Sequence, residues 1–416
     1  MITPGAIRDA HARIADHIIR TPLVFSPTFS EMTGARVYLK LETLQKAGSF
    51  KVRGATNKIL CNLKTSVTHG VVAASAGNHA QGVAVAAHRA GIAATIVMPE
   101  WASLAKQEAT RGYGAKVIIH GQTLEESVGH AKKLSLQGML FIHPYDDEEV
   151  IAGQGTIGIE ILDDLPETDM IIVPVGGGGL IAGIATAVRA QRPAARIIGV
   201  QAEGCPSAYD ALRSANPTCI PTRPSLADGI RVAQTGTLTL PVIRNLVEKI
   251  VIAGEDAIAD AMLWLIERKK VVAEGAGAIP LAALLSGSVP VKAESTVVLV
   301  ISGGNIDSPH LERTIHHALI RRGRIMRCSV VLDDQPGALA RFLAAVAQEQ
   351  GNILHIHHEQ GAYDLPVHEV RVTIEIETRG KGHIGSLSRA LEQAGYRIRL
   401  LSSGDGENSG PTSKKD

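Results

Sequence analysis

Short, continuously apolar segments recur through residues 37–302 and are separated by stretches with helical periodicity. Strands buried on both faces tend to be apolar at every position, whereas strands with one solvated face alternate apolar and polar residues. The helical stretches provide the crossovers that parallel strands need. The pattern therefore predicts an α/β fold with doubly wound parallel sheets. Strands are expected at residues 37–41, 70–75, 94–98, 116–120, 140–143, 170–175, 196–202, 249–252 and 295–301.

The charge balance and the cysteines exclude several classes of protein. The 416 residues include 42 Lys and Arg against 41 Asp and Glu, a net charge of +1, so the basic surplus typical of nucleic-acid binding is missing. No apolar run reaches the roughly 18 residues of a membrane helix, and the start of the chain lacks the apolar core of a secretory signal. Four scattered cysteines indicate neither a disulfide framework nor a CxxC metal site. We therefore expect a soluble, cytoplasmic protein that acts on a small molecule.

A different pattern begins after the basic segment 321–327, RRGRIMR, which we interpret as a linker. Strand, helix, strand, strand, helix and strand are expected at 326–333, 337–350, 352–359, 368–378, 384–394 and 397–402. This βαββαβ order is typical of a ferredoxin-like fold. We assign residues 328–403 to a separate small domain and the glycine- and serine-rich residues 404–416 to a disordered tail.

A run of four glycines follows the strand expected at 170–175 and opens a helix. Their backbone N–H groups at a helix N-terminus favour a phosphate ligand. The candidate cofactor-binding residues are Gly176, Gly177, Gly178, Gly179 and Leu180. The same segment also fits a dinucleotide-binding fingerprint through Gly177, Gly179 and Ala182, with Glu203 as the ribose-binding acid. A nicotinamide-dependent oxidoreductase is therefore an alternative, although its glycine motif usually opens a domain.

A lysine stands at the expected start of a helix in the segment 49–55, SFKVRGA. The helix dipole disfavours a cation at this position, which would lower the pKa of Lys51. A neutral amine is the form that carries out Schiff-base chemistry. A solvated surface lysine is the simpler alternative for this motif alone.

Two further polar segments follow expected strands. The segment SAGNHAQG, 75–82, begins with a serine, which is favoured as a helix N-cap. Its small residues leave backbone amides open to a carboxylate. The candidates for binding a substrate carboxylate are Ser75, Ala76, Gly77, Asn78 and His79. The segment SGGN places Ser302 at the carboxyl end of the last α/β strand, where open sheets position ligand-binding groups.

In this order, SFKVRGA, SAGNHAQG, VGGGGL and SGGN resemble the motifs of the threonine dehydratase (threonine ammonia-lyase) family over about residues 5–320. That family consists of pyridoxal-phosphate enzymes of fold type II, a tryptophan-synthase-β-like architecture of two doubly wound α/β domains. The resemblance implies a catalytic region 1–320, in which a small subdomain of about 45–145 is inserted into the larger one. The segment 333–339, DDQPGAL, resembles the first strand-to-helix loop of an ACT domain, a regulatory amino-acid-binding module.

The resemblance also implies a role for each motif. Lys51 would hold the cofactor as a Schiff base and serve as the catalytic base, and the glycine loop with Leu180 would bind its phosphate. Asn78 would contact the ring hydroxyl and Ser302 the pyridine nitrogen. A serine there makes the ring a weaker electron sink, which favours prompt loss of a β-leaving group. The implied reaction converts L-threonine, and L-serine, to 2-oxobutanoate or pyruvate with release of ammonia.

One position departs from the related serine racemases, which carry Ser-Ser-Gly-Asn in the second motif. Ala76 replaces their second serine and cannot transfer a proton, so we expect weak racemisation. A monovalent or divalent cation is a further possibility, with Glu203 as a ligand, although Tyr209 stands where an aspartate would be expected.

Several alternatives stay open from the sequence. They are a serine-preferring dehydratase or racemase of the same fold, the nicotinamide-dependent oxidoreductase, and a non-catalytic amino-acid sensor. The ACT resemblance implies a branched-chain amino-acid effector and a homo-oligomer, dimer or tetramer. The sequence does not separate threonine from serine preference, or a biosynthetic from a catabolic role.

Overall fold

The computed structural model describes residues 2–214, 219–360 and 364–401. The chain divides into two compact units, Met1–Asp307 and Ser308–Asp416. In the described residues the strands are β1 Leu23–Phe25, β2 Arg36–Leu41, β3 Val71–Ala74, β4 Ala94–Met98, β5 Lys116–Ile119, β6 Leu140–Phe141, β7 Met170–Pro174, β8 Arg196–Ala202, β9 Lys249–Ala253, β10 Thr296–Ile301, β11 Ile325–Asp333, β12 Asn352–Glu359, β13 Glu369–Glu377 and β14 Ile398–Leu400.

The α-helices of the same residues are α1 Pro4–Ile14, α2 Pro27–Thr33, α3 Lys51–Cys61, α4 Leu63–His69, α5 Asn78–Arg89, α6 Leu104–Gly112, α7 Leu124–Leu136, α8 Glu148–Asp164, α9 Gly179–Gln191, α10 Ser207–Arg213, α11 Thr239–Leu246, α12 Glu255–Trp264, α13 Gly275–Leu285, α14 Ser308–Arg321, α15 Ala338–Gln348 and α16 Lys381–Gln393. Within the described ranges, none of the helices combines the length and the apolar character needed to cross a membrane.

The larger sheet of the first unit has the strand order β1-β2-β10-β7-β8-β9. Its neighbours are parallel except for β1, which is antiparallel to β2. Every residue of β7 and β10 is buried, as expected for strands covered on both faces. The strands expected from the apolar runs are confirmed. The three-residue edge strand β1 was not predicted, because it is too short to show a pattern.

The smaller sheet of the first unit is wholly parallel, in the order β5-β4-β3-β6. Its strands lie in sequence between β2 and β7 of the larger sheet. Two doubly wound sheets confirm the predicted α/β class. The contacts group both sheets into one unit, and the subdomain limits 45–145 stay a prediction.

Close packing against α8 fixes the position of α3. A Cβ on Gly153 of α8 would lie 2.7 Å from the Arg53 carbonyl oxygen, and a Cβ on Gly54 would lie 2.7 Å from the Val150 carbonyl oxygen. These distances are too short for any side chain, so glycine at both positions lets the two backbones touch. The first residue of α3, Lys51, is thereby held in a defined place.

The second unit contains an antiparallel sheet in the order β12-β13-β11-β14. Its apolar side packs with α15 and α16 in one core that includes Phe342 and Leu387. The βαββαβ order confirms the ferredoxin-like prediction. The tail 404–416 lies outside the described residues.

The predicted linker 321–327 and the domain limits at 320 and 328 are wrong in detail. Helix α14 groups with the second unit and ends at Arg321, and β11 already begins at Ile325. Met326 and Cys328 are buried, whereas Arg327 between them is partly exposed. Of the basic residues that suggested a linker, Arg327 is therefore an outward-facing position of an alternating strand, and Arg321 is the last residue of α14.

Candidate active site

A cavity of about 980 Å³ in the first unit gathers most of the predicted site residues. The starts of α3 and α5, the loop after β7 and the end of β10 contribute to its wall. The predicted residues that line it are Lys51, Ser75, Ala76, Gly77, Asn78, His79, Gly176, Gly177, Gly178, Gly179, Leu180 and Ser302. Four motifs that are far apart in sequence therefore meet at one place, while their individual roles stay predictions.

Lys51 is the first residue of α3 and projects into this cavity. Its Nζ donates a hydrogen bond to the Pro144 carbonyl oxygen at 2.8 Å. Burial lowers the pKa of Lys51 to about 8, and the nearby Glu274 carboxylate opposes that shift. The lowered pKa was expected from the helix dipole, whereas the main cause in the structure is burial. A substantial fraction of the amine is neutral at mildly alkaline pH.

The glycine loop turns sharply between β7 and α9. Gly178 has φ +94°, which favours glycine, and a Cβ on Gly177 would lie 2.3 Å from the Tyr145 ring. The Gly177 carbonyl oxygen accepts a hydrogen bond from Thr239 Oγ1 at 2.7 Å. The N–H groups of the first turn of α9 have no acceptor within the helix. Glycine is therefore required by the packing around the loop, and the start of α9 stays the predicted phosphate site.

The segment that follows β3 differs from the prediction at its first residue. Helix α5 begins at Asn78, and Ser75 Oγ accepts a hydrogen bond from the Gly77 N–H at 3.1 Å. Ser75 was expected to cap the helix, but it closes a local turn three residues earlier. The reason is that a serine hydroxyl satisfies a nearby backbone N–H equally well in a turn and in a cap.

Asn78 is held from two sides. Its Nδ2 donates to Glu274 Oε1 at 2.5 Å, and its Oδ1 accepts from Asn305 Nδ2 at 2.9 Å. Ser302, at the end of β10, is buried and its Oγ donates to the Ala276 carbonyl oxygen at 3.4 Å. Both predicted ring-contacting residues are thus bonded to the segment 274–276.

His79 forms a fixed part of the cavity wall. Its ring is buried, and Nε2 lies 2.9 Å from the Ile142 carbonyl oxygen. Because a carbonyl oxygen only accepts, Nε2 carries the proton. Burial, followed by the positive charge of Lys51, lowers the pKa of His79 to about 3. The imidazole is therefore neutral throughout the physiological range.

Sequence reasoning missed Glu274. Its side chain is 5% exposed and lines the cavity. Burial, together with the Asp228 carboxylate, raises the pKa of Glu274 to about 8. One signal could have revealed it, because Glu274 is the single charged residue in the otherwise apolar run 271–285, VVAEGAGAIPLAALL.

The segment that follows β6 was also missed. Tyr145 packs its ring on the glycine loop, and the Asp146 carboxylate accepts hydrogen bonds from the Thr237 and Leu238 N–H groups at 2.9 and 2.8 Å. The segment that follows β6 of the smaller sheet therefore contacts both the glycine loop and residues 237–238. No local sequence pattern indicates a contact across 91 residues.

Glu203 does not line the cavity. In the described residues no group of three or more His, Cys, Asp or Glu side chains is arranged to hold a metal ion. Tyr209, which replaces the expected aspartate, stacks under the Arg213 guanidinium at 5.4 Å. A cation at Glu203 stays a prediction. The nicotinamide alternative is weakened, because its ribose-binding acid is absent from the cavity wall.

The donor set fits pyridoxal phosphate: a lysine amine that is partly neutral near pH 8, a glycine loop whose space side chains would fill, and an amide and a hydroxyl facing the same cavity. Residues 14–303 match the family model described as "Pyridoxal-phosphate dependent enzyme". The chain is 44% identical to an L-threonine ammonia-lyase of Thermotoga maritima over 402 residues, which cover 96% of this chain and 100% of that protein.

Solved structures agree with that match. Maize serine racemase superimposes with a TM-score of 0.72 at 37% identity, covering 77% of this chain and 99% of that one. Threonine deaminase isoform 2 of Solanum lycopersicum superimposes with a TM-score of 0.72 at 35% identity, covering 75% and 92%. The chain therefore belongs to the family of pyridoxal-phosphate dependent enzymes.

Proposed function

We propose that this protein is a threonine ammonia-lyase that also accepts L-serine and releases ammonia together with a 2-oxo acid. The observation that carries the proposal is that the Lys51 amine and the glycine cradle open into one cavity. The names of similar proteins, L-threonine ammonia-lyase and threonine deaminase, support the substrate class.

Pyridoxal phosphate, when bound, supplies an electron sink for charge that develops at the substrate Cα. The first N–H groups of α9 would hold its phosphate, and Lys51 would form the covalent link to it. The neutral Lys51 amine would take a proton from the substrate Cα as general base. The Ser302 hydroxyl would face the ring nitrogen without an ionised acid that could keep that nitrogen protonated. This arrangement would favour loss of the β-hydroxyl over return of the proton to Cα.

The proposal is tested by replacing Lys51 with Ala. We expect the variant to fold, to lose the visible absorption of the bound cofactor, and to release no ammonia from threonine. In the wild-type protein, borohydride should fix the cofactor on the peptide that contains Lys51, as found by mass spectrometry. Lys58→Ala is a matched control on the same helix, because Lys58 pairs with Asp147 at 2.8 Å. Normal ammonia release by Lys51→Ala would refute the proposal.

Serine racemisation is the second candidate function, favoured by the similarity to maize serine racemase. Ala76 lines the cavity, and its methyl group cannot deliver a proton to the second face of a substrate. We therefore propose that elimination greatly exceeds racemisation, and that Ala76→Ser raises D-serine formation from L-serine. Chiral chromatography of the products measures both. Substantial D-serine from the wild-type protein would favour the racemase.

For the second unit we propose an ACT-type regulatory role in a homo-oligomer. In the described residues β12 bonds only to β13, and Leu354 and Ile356 on it are 40% and 42% exposed. An edge strand of this kind favours pairing with a strand of another copy. The loop 333–337 leads to Gly337, with φ +86°, at the start of α15. A helix start suits the carboxylate of an amino-acid effector, and a branched-chain amino acid is the proposed class.

Regulation is tested by threonine kinetics with and without isoleucine or valine, together with light scattering to give the oligomeric state. The full chain is compared with a chain that ends at Asp307, the limit of the first unit. We expect the effector to change the kinetics of the full chain only. Identical responses of both chains would refute the regulatory role and leave the enzymatic proposal standing.

A further inference from the structure

The chain reaches Glu274 by an irregular route. Helix α12 continues into a π-helical turn, Leu265–Lys269, and Lys270 ends it in the left-handed conformation with φ 58°. The chain then runs beside the SGGN segment, where the Glu274 N–H donates to the Gly303 carbonyl oxygen at 3.1 Å. Single π-helical turns are rare and occur frequently at functional sites. Here the turn delivers a carboxyl group into the cavity.

The contacts of Asn78 define the orientation of its amide. An asparagine amide offers two N–H donors on Nδ2 and an acceptor on Oδ1. Glu274 Oε1 takes one N–H at 2.5 Å, and Asn305 Nδ2 donates to Oδ1 at 2.9 Å. A flipped amide would set oxygen against the Glu274 carboxylate and nitrogen against the Asn305 nitrogen. Both contacts would be lost together.

Asn305 is itself fixed by the surrounding chain. Its Nδ2 also donates to the Ala47 carbonyl oxygen at 2.7 Å and approaches Gln81 Oε1 at 3.2 Å. Its nitrogen therefore always faces Asn78. Among the described residues no other acceptor bonds to Asn78 Nδ2, so its second N–H stays available to a ligand in the cavity.

We propose that Glu274 is a positioning residue for the cofactor, which holds the Asn78 amide so that its second N–H faces the cofactor ring. The proposal rests on the proposed function and deepens it, since it assigns a task to a carboxyl group that no motif pointed to. Glu274 acts through Asn78 and touches no reacting atom. The same short segment also accepts the hydrogen bond of Ser302 through the Ala276 carbonyl oxygen, so residues 274–276 position both ring-contacting side chains.

The test is a double-mutant cycle on cofactor affinity, measured by titrating the cofactor-free full-length protein with pyridoxal phosphate. Glu274→Met and Glu274→Gln have nearly the same volume, but only glutamine keeps an oxygen that accepts the Asn78 N–H. They are compared with Asn78→Ala and with the double variant Glu274→Met, Asn78→Ala. Glu248→Gln is the control, because Glu248 pairs with Arg196 at 2.7 Å and does not line the cavity.

Glu274→Met and Asn78→Ala should each weaken cofactor binding by up to about tenfold, as expected for losing one buried hydrogen bond. They should shift the visible band of the bound cofactor in the same direction. The double variant should be no weaker than either single variant. Glu274→Gln should stay within about threefold of the wild type, and Glu248→Gln should not change binding.

Three results would overturn the proposal. The first is that the two losses multiply in the double variant, which means that Glu274 does not act through Asn78. The second is that Glu274→Met binds the cofactor normally, which means that the carboxyl does not act on the cofactor site, or that it fails to fold, which assigns the carboxyl to stability. The third is that Glu274→Gln binds the cofactor as weakly as Glu274→Met does. If the wild-type protein itself does not bind the cofactor at Lys51, the proposed function fails, which is a distinguishable outcome.

Discussion

Two groups of buried ionisable side chains lie on either side of the first turn of α3. They differ in whether a side chain of opposite charge bonds to them. Lys51 faces the cavity, where its Nζ bonds to a backbone carbonyl oxygen. Arg53, two residues later, is fully buried on the other side and bonds to two carboxylates. About half a helical turn therefore separates an amine without a bonded counter-ion from a completely paired guanidinium.

We call the four residues Lys40, Glu42, Arg53 and Glu160 the paired cluster. Arg53 meets Glu42 at 2.8 Å and Glu160 at 2.6 Å, and Lys40 meets Glu160 at 2.6 Å. The charges of its two basic and two acidic side chains sum to zero. Burial by itself would raise the pKa of Glu160, but Arg53 and Lys40 outweigh it and hold that pKa below its usual value. Glu160 is thus held in its ionised form.

In the cavity, burial moves the pKa values of Lys51 and Glu274 toward each other, both to about 8. Asn78 and the Pro144 carbonyl oxygen bond to these groups but carry no formal charge. The comparison teaches that pairing a buried charge favours its ionised form and makes loss of one partner costly, whereas leaving it without a bonded counter-ion shifts its pKa toward neutral pH.

The largest effect is expected from breaking the paired cluster. Arg53→Met leaves Glu42 and Glu160 buried with only Lys40 as a countercharge. The free energy of unfolding should therefore fall by about 3–5 kcal/mol. Urea denaturation of the cofactor-free protein measures this. Arg20→Met is the matched control, since Arg20 pairs with Asp164 at the surface and should lose at most about 1 kcal/mol. Similar losses in both variants would contradict the comparison.

A smaller decrease in the free energy of unfolding should follow from removing one hydrogen bond to the paired cluster. Thr21 Oγ1 donates to Glu42 Oε1 at 2.6 Å in the buried interior. Thr21→Val keeps the shape but removes the donor, and we expect a loss of about 1.5–3 kcal/mol in the free energy of unfolding. Thr68→Val, at an exposed hydroxyl that bonds only within its helix, should change it by less than about 0.5 kcal/mol. An unchanged free energy of unfolding in Thr21→Val would show that Glu42 does not need this hydrogen bond.

An effect of opposite sign is expected at Lys51. Its pKa falls from 10.5 in the unfolded chain to about 8 in the folded protein. Between these values the unfolded chain binds more protons, so stability rises with pH across the window 8–10.5. Lys51→Met in the cofactor-free protein should therefore be more stable than wild type below pH 8, and this advantage should shrink as the pH rises to 10.5. Unfolding curves at several pH values measure the difference. An advantage that is independent of pH would mean that the amine is not the cause.

The sequence predicted most of the fold, because parallel strands that are buried on both faces appear in the sequence as continuous apolar runs. It also predicted twelve residues of the cavity wall, because four short motifs carry them. It did not predict the partners of Arg53, although that residue lies within the quoted SFKVRGA motif. Glu160 is 107 residues away in sequence, and only tertiary packing of α3 on α8 brings the two together.

Glu274 was missed for a related reason. Its entry into the cavity depends on the π-helical turn and on the left-handed Lys270, and no local residue preference indicates such a turn. The misplaced linker has another origin. A strand with one solvated face can carry arginines and a nearby glycine, and in composition it then looks like a connecting segment.

The ring of Tyr145 on Gly177 has a consequence for the sequences that this fold can accept. A Cβ on Gly177 would lie 2.3 Å from that ring, so alanine at 177 is excluded by a neighbour inside the chain itself, before any ligand is considered. The constraint has a direction, because alanine at 177 requires the ring at 145 to be lost first or at the same time. In laboratory evolution a substitution at 145 should therefore precede or accompany any substitution at 177.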